Sequence, residues 1–445
     1  MKKSAIKNLY IPEDWDELKF RQIFWFGKGL SITKDDLVDE GIPVVSYGQV
    51  HSKINSGTGL CDDLFRYVPE SYLRTSRNCI VRKNDFIFAD TSEDYAGIGN
   101  CAFIDRDDII FAGYHSIIAR PIRNDIYPKY FAYLFLSNCW RDQIRASVMG
   151  IKVFSISQKL LRDTYVLIPS LNEQRAITHI LDDECSKIDH LSNQLEKQID
   201  LLKRYKKAII SYAVTRGLDV SVPMRDTGIG YIGEMPAHWN AKRMKYVLAK
   251  PLQYGANETG DDYNEDWPRY IRITDITENN ELKDEGKQAL PPDVAKPYLL
   301  KDGDVLFARS GATVGKTFYY TDDCGTAAFA GYLIKAQTDR SKVLPKFLYY
   351  STLGTGYENW KNMVFTQATI QNIGADKYAQ FIVTIPPLDE QKVIIKYLDS
   401  ECGKIDRILA AKELQLETMT RHKQSLIYEY VTGKKRVKEV TSYAD

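Results

Sequence analysis

The chain lacks the marks by which several protein classes are known. No apolar run approaches the ~18 residues that a membrane helix needs. The opening stretch MKKSAIKNLYIPEDW has no apolar core of the kind a secretory signal carries, so the expected location is the cytoplasm, with no membrane partner. Seven cysteines are scattered without a CxxC pair; an odd count without regular spacing fits reduced thiols rather than a disulfide framework. Six histidines form no ligand-spaced cluster, and no metal site is expected. An excess of one charge is missing too: 60 Lys and Arg stand against 59 Asp and Glu. A nucleic-acid partner would have to be held by local positive patches. What is present is an ordinary globular composition, 44% hydrophobic over 445 residues, enough for two or three domains with real cores. Tyrosine is abundant at 29 residues, and its flat ring with a polar tip suits interfaces.

The strongest positive signal is a repeat. IPSLNEQRAITHILDDECSKIDHL begins at Ile168 and IPPLDEQKVIIKYLDSECGKIDRI at Ile385, 217 residues apart. The correspondence extends through each half. Pro12 and Trp15 match Pro236 and Trp239; GIPVVSYGQV (41–50) matches WPRYIRITDI (267–276), both strand-like. Asp85 and Asp304 each precede a short apolar run, FAGY recurs at 111 and 329, and PKYFAYL and PKFLYYS read as helices opened by proline. Gly217 to Met235, punctuated by glycine and proline, reads as a linker. After each Ile-Pro start the period becomes helical. Asn172 and Asp389 are read as N-caps. Ile188, Leu191, Leu195, Leu202, Tyr205, Ile209 and Tyr212 form one apolar stripe, broken at Gln198; Ile405, Leu409, Leu416, Met419, Leu426 and Tyr430 form the other. Gly217 and Gly433 stand just past the helix ends. Two such helices in one chain can pair antiparallel, and Ile188–Thr215 would span about 42 Å.

Searches for chemistry fail. SGATVGKT (310–317) is one residue short of a phosphate loop and runs into the strand-like FYY where that motif needs a helix. Glu285-Gly286-Lys287 and Pro292-Asp293 are nuclease fragments in the wrong order, and no Asn/Asp-Pro-Pro-aromatic loop, GxSxG or HExxH appears. Cys185 and Cys402 occupy equivalent places, where a small packing residue is the plainer reading. The halves therefore read as binders. A duplicated binder on a spacer suits a linear, repetitive partner such as duplex DNA, whose half-sites lie ~34–36 Å apart in dimeric readers. Two other readings stay open at this level: a nucleotide-binding enzyme using Gly311–Thr317, and a helical scaffold without a DNA role.

The paired IPxLxEQ starts, together with GEMPAHW and DGDVLFARSGATVGKT, resemble the specificity subunit of type I restriction-modification systems over essentially the whole chain. The resemblance implies an α+β fold. Two tandem α/β target recognition domains (1–167, and 218–384 with the linker) are separated by two long helices (168–217 and 385–433) that pair as an antiparallel coiled coil. A basic tail follows (434–445). It implies no catalysis and no cofactor in this chain. Two methyltransferase (modification) subunits would bring S-adenosylmethionine, and motor-nuclease (restriction) subunits would bring ATP and Mg.

Contact residues come from the internal alignment. Polar positions that differ beside matching framework are Ser46 against Arg272, Gln49 against Asp275, Asp90 against Arg309 and His115 against Leu333. Tyr47, Thr91, Thr274 and Ser310 adjoin them, and Lys152 and Gln367 lie in the loops ahead of the helical regions. Because the halves differ at these positions, an asymmetric double-stranded DNA target is expected.

Overall fold

The computed structural model describes residues 1–148, 153–277, 279–366 and 372–437. The chain forms two compact units. One is Met1–Leu195 with Leu414–Asp445; the other is Glu196–Glu413. Each unit thus holds one globular segment and a length of both long helices.

In the first unit, strand Phe86–Ala89 is buried on both faces. Phe86 and Phe88 point into an aromatic core with Phe20, Phe24, Phe131, Phe135 and Trp140, whereas Ile87 and Ala89 join a second core with Val45, Ala102 and Ile118. The two-residue side-chain period of a strand makes this division. Around it run antiparallel strands Cys101–Phe103, Ser116–Pro121 and Phe24–Lys28. A second sheet sets Ile42–Val45 parallel to Ile110–Ala112, with Val44 opposite Phe111 and Val45 opposite Ala112. The second unit repeats the plan. Val305 and Phe307 face one core, Leu306 and Ala308 another, and Arg269–Ile271 runs parallel to Ala327–Phe329.

The IPxLxEQ motif is a joint. Gln174, fully buried, donates from Nε2 to Pro169 O and accepts from Tyr127 N, 2.9 and 2.7 Å. Gln391 does the same with Pro386 O and Leu344 N, 2.9 and 2.8 Å. In each case the amide ties the helix start to the turn that opens the proline-led helix, Pro128–Leu136 or Pro345–Ser351. Glu173 accepts from Trp15 Nε1 at 2.9 Å, and Glu390 from Trp239 Nε1 at 2.8 Å. Lys129 and Tyr133 then clamp Asp182, as Lys346 and Tyr350 clamp Asp399. Asn172 is not the N-cap: the first helix spans Leu171–Arg216, and Ser170 Oγ accepts from Glu173 N at 3.2 Å. Asp389 lies inside the first turn of the second helix, Leu388–Val431.

The long helices pair antiparallel. In the first unit Asp189 meets Lys423 at 2.6 Å and Ser192 meets Met419 at 3.9 Å. In the second, Gln198 meets Lys412 and Lys206 meets Asp406, both at 2.6 Å. The first helix's seam differs from the expected stripe. Ile188 and Ile199 are buried, but Leu191, Tyr205 and Tyr212 are about half exposed. The seam runs 188, 192, 195, 199, 202, 206, 209, 213, an unbroken 4/3 alternation. It includes Ser192 and Lys206, so a purely apolar reading takes the neighbouring Leu191 and Tyr205 instead. On the second helix Ile405, Leu409 and Leu426 are buried as expected. Among the described residues no helix is long and apolar enough to cross a membrane.

Candidate nucleic-acid interface

Backbone hydrogen bonds fix which residues of the two units are equivalent. In the first unit Leu30 N donates to Ala112 O and Gly29 N to Ser116 O; in the second, Ala256 N donates to Phe329 O and Gly255 N to Leu333 O. Ala112 therefore corresponds to Phe329, and the repeated FAGY tetrapeptide is one residue out of structural register. His115 corresponds to Tyr332, which the sequence comparison missed, and Leu333 faces the core. Strand pairing was the missing signal, since letter identity favours the slipped match.

Ser46 and Arg272 end equivalent strands, and neither strand continues as far as expected. Tyr47–Val50 is a helical turn and Ile273–Asp275 a 3-10 turn. The cause is a side-chain cap: Gln49 Oε1 accepts from Ser46 N at 3.1 Å, and Asp275 Oδ2 from Arg272 N at 2.8 Å. These caps engage several expected contact residues. Ser46 is 1% exposed and presses on Gly113, where an added Cβ would fall 2.0 Å from its Oγ, so it offers no surface to a base. Asp275 is 3% exposed and accepts from Arg272 Nη2 at 2.8 Å; Arg272 also donates to Gly286 O. Arg272 and Asp275 are thus ion-paired with one another. Thr274 is exposed beside them. Lys152 and Gln367 lie outside the described residues.

The remaining positions gather at one strand end per unit. In the first, Asp90 N donates to His115 O and Asp90 O accepts from Ile156 N. His115 has φ +54°, a left-handed conformation uncommon outside glycine. It is exposed, with Nδ1 3.1 Å from Asp90 Oδ1 and its ring 5.5 Å from that of Tyr47. Thr91 is half-buried, pairs with Ser155, and its carbonyl meets His51 Nε2 at 2.8 Å. In the second unit Arg309 N donates to Tyr332 O and Arg309 O accepts from Ile373 N, the same two bonds. The Arg309 guanidinium lies 5.0 Å from the centre of the Tyr254 ring, and Ser310 bridges to Asn372. Each unit thus brings polar and aromatic side chains from several segments together at one sheet end.

Elsewhere, Gly311–Lys316 is a turn: Val314 N reaches Gly311 O and Lys316 N reaches Thr313 O, and strand Thr317–Tyr319 follows. Cys185 and Cys402 are buried in the cores, and burial pushes both thiols up to about 11, which suits packing rather than nucleophilic chemistry.

The model of the type I restriction modification DNA specificity domain matches residues 12–201 and 256–418. The specificity subunit of type I restriction enzyme StySPI from Salmonella potsdam is 22% identical over 409 residues, 89% of this chain and 84% of its own. That of MjaVIII from Methanocaldococcus jannaschii is 22% identical over 441 residues, 97% and 95% of the two chains. A solved chain described under complex assembly and conformational transition of the type I R-M system is similar in fold. Its TM-score is 0.63 at 16% identity, over 95% of this chain and 99% of that one.

Proposed function

Because the chain belongs to the family of type I restriction-modification DNA specificity subunits, we propose that its two units each read one half of an asymmetric, bipartite DNA target. The observation that supports this is the pair of equivalent strand ends, alike in backbone and different in side chain. Different side chains in one frame read different bases, and hence two unlike half-targets. On this reading the chain itself is not catalytic. It holds the duplex in register while two modification subunits methylate adenine with S-adenosylmethionine, after flipping the base. Motor-nuclease subunits use ATP and Mg to cleave.

The paired helices would set the number of bases between the half-targets. Seven residues inserted after Leu195, with seven after Glu413 to keep the seam in register, lengthen the pair by ~10 Å. The methylated motif's spacer should grow, and an unchanged spacer defeats that idea. Within the second unit, Leu201, Tyr205 and Tyr212 on the first helix and Val393, Tyr397 and Ile408 on the second remain exposed. Covering exposed apolar side chains favours association, and on this reading a modification subunit docks on these helix faces. The function is tested by mapping methylated adenines in DNA from cells carrying this chain with its modification subunits. A two-part motif with a fixed spacer is expected; the absence of any motif removes the reading.

A further inference from the structure

Asp90 and Arg309 occupy one slot in two copies of a frame. The flanking backbone bonds are the same: each residue's N–H donates to the residue at the tip of the neighbouring turn, His115 or Tyr332, and each carbonyl accepts from an isoleucine amide, Ile156 or Ile373. Yet one side chain is an acceptor and the other a donor. Asp90 Oδ1 is met by His115 Nδ1 at 3.1 Å, and among the described residues no donor reaches Oδ2. The carboxylate is about one-third exposed. A carboxylate facing a duplex is repelled by phosphates and gains nothing from the backbone; what it can accept is a base amino proton. Arg309 has no carboxylate partner among the described residues. Its Nε is buried without a hydrogen bond, and the Tyr254 ring supports the guanidinium at 5.0 Å. That leaves the terminal nitrogens to present a fork, and a fork matches the O6 and N7 of guanine.

We propose that these slots read base edges of opposite polarity: Asp90 accepts from N4 of a cytosine in one half-target, and Arg309 donates to O6 and N7 of a guanine in the other. His115 and Tyr254 are positioning residues, one orienting the carboxylate from its left-handed turn, the other supporting the guanidinium plane. The inference rests on the bipartite reading above and adds the identity of one base in each half.

The test uses the full complex of this chain with its modification subunits, comparing wild type with Asp90→Ala, Asp90→Asn, Arg309→Ala and Arg309→Lys by methylated-adenine mapping and by DNA binding at two salt concentrations. The wild-type motif should carry a cytosine at the position that becomes degenerate in Asp90→Ala, and a guanine at the position that becomes degenerate in Arg309→Ala. Each loss of discrimination should be about ten-fold or more, confined to one half. Asn pairs with the N6 and N7 of adenine, so Asp90→Asn should move the preference at its position from cytosine to adenine. Arg309→Lys should keep charge and lose guanine preference. Uniform weakening across sequences with a shallower salt dependence would make Arg309 a phosphate contact and overturn its assignment. An intact two-part motif unaltered in all four variants overturns the inference alone, whereas a wild type with no two-part motif overturns the bipartite reading and the inference together.

Discussion

The two units agree where the chain is held together and differ where it faces out. Trp15 and Trp239, both almost fully buried, donate to Glu173 and Glu390. Gln174 and Gln391 close the same joint, and Lys-Tyr pairs clamp Asp182 and Asp399. Against that sameness stand Asp90 with His115 and Arg309 with Tyr332, in slots whose backbone bonds are alike. Duplication fixed a frame and left the exposed strand ends free to diverge, a division suited to reading two unlike sequences from one architecture.

The frame should be the costliest place to break the likeness. Trp15→Ala and Trp239→Ala should each cost about 3–5 kcal/mol and act on their own unit. Hydrogen exchange followed by unit should show loss of protection in one and little change in the other. Equal loss in both would mean that the units do not fold separately.

A second contrast lies at the aspartates before each central strand. Asp85 is buried and accepts from Arg120 Nε and Nη2 at 3.0 and 2.7 Å, and from Arg82 N. Asp304 is equally buried, but among the described residues its carboxylate accepts only from Lys301 N at 2.9 Å, with Lys335 Nζ 3.9 Å away. Asp85→Asn should cost about 3 kcal/mol, the penalty of stranding a partly buried cation, and Asp304→Asn less than about 1 kcal/mol. Burial raises the Asp304 carboxyl above the ordinary carboxylate value. A raised folded-state pKa favours folding at low pH, and that contribution fades as pH rises through the folded-state value. Urea titrations should therefore show Asp304→Asn gaining on wild type as pH rises through that range, so that the gap narrows, and a gap that widens instead contradicts the buried carboxyl.

The smallest expected effect on folding is at the exposed helix face. Tyr205→Asp should change stability by less than about 0.5 kcal/mol while weakening assembly with the modification subunit, read by analytical ultracentrifugation. Full assembly would free Tyr205 of any docking role.

Much of this frame was legible in the sequence because repeated motifs report repeated joints: IPxLxEQ, the entrance tryptophans and the proline-led helices all fell where they were read. The interface was less legible, for physical reasons. Ser46 and Asp275 look like free polar residues in a string of letters, but one is buried in a turn and the other neutralises Arg272. Tyr332 was hidden by a tetrapeptide identity that strand pairing overrides. The seam was misplaced because Ser192 and Lys206 are polar, and a lysine whose tip reaches Asp406 can still occupy a helix interface with its stem.

The central claim is that each unit reads its own half-target. It is tested most directly by replacing residues 20–167 with the matching segment of a family member of known, different target, and mapping methylated adenines made by the complex. The claim predicts that one half of the motif is exchanged while the other half and the spacer are kept; a change in both halves would contradict it.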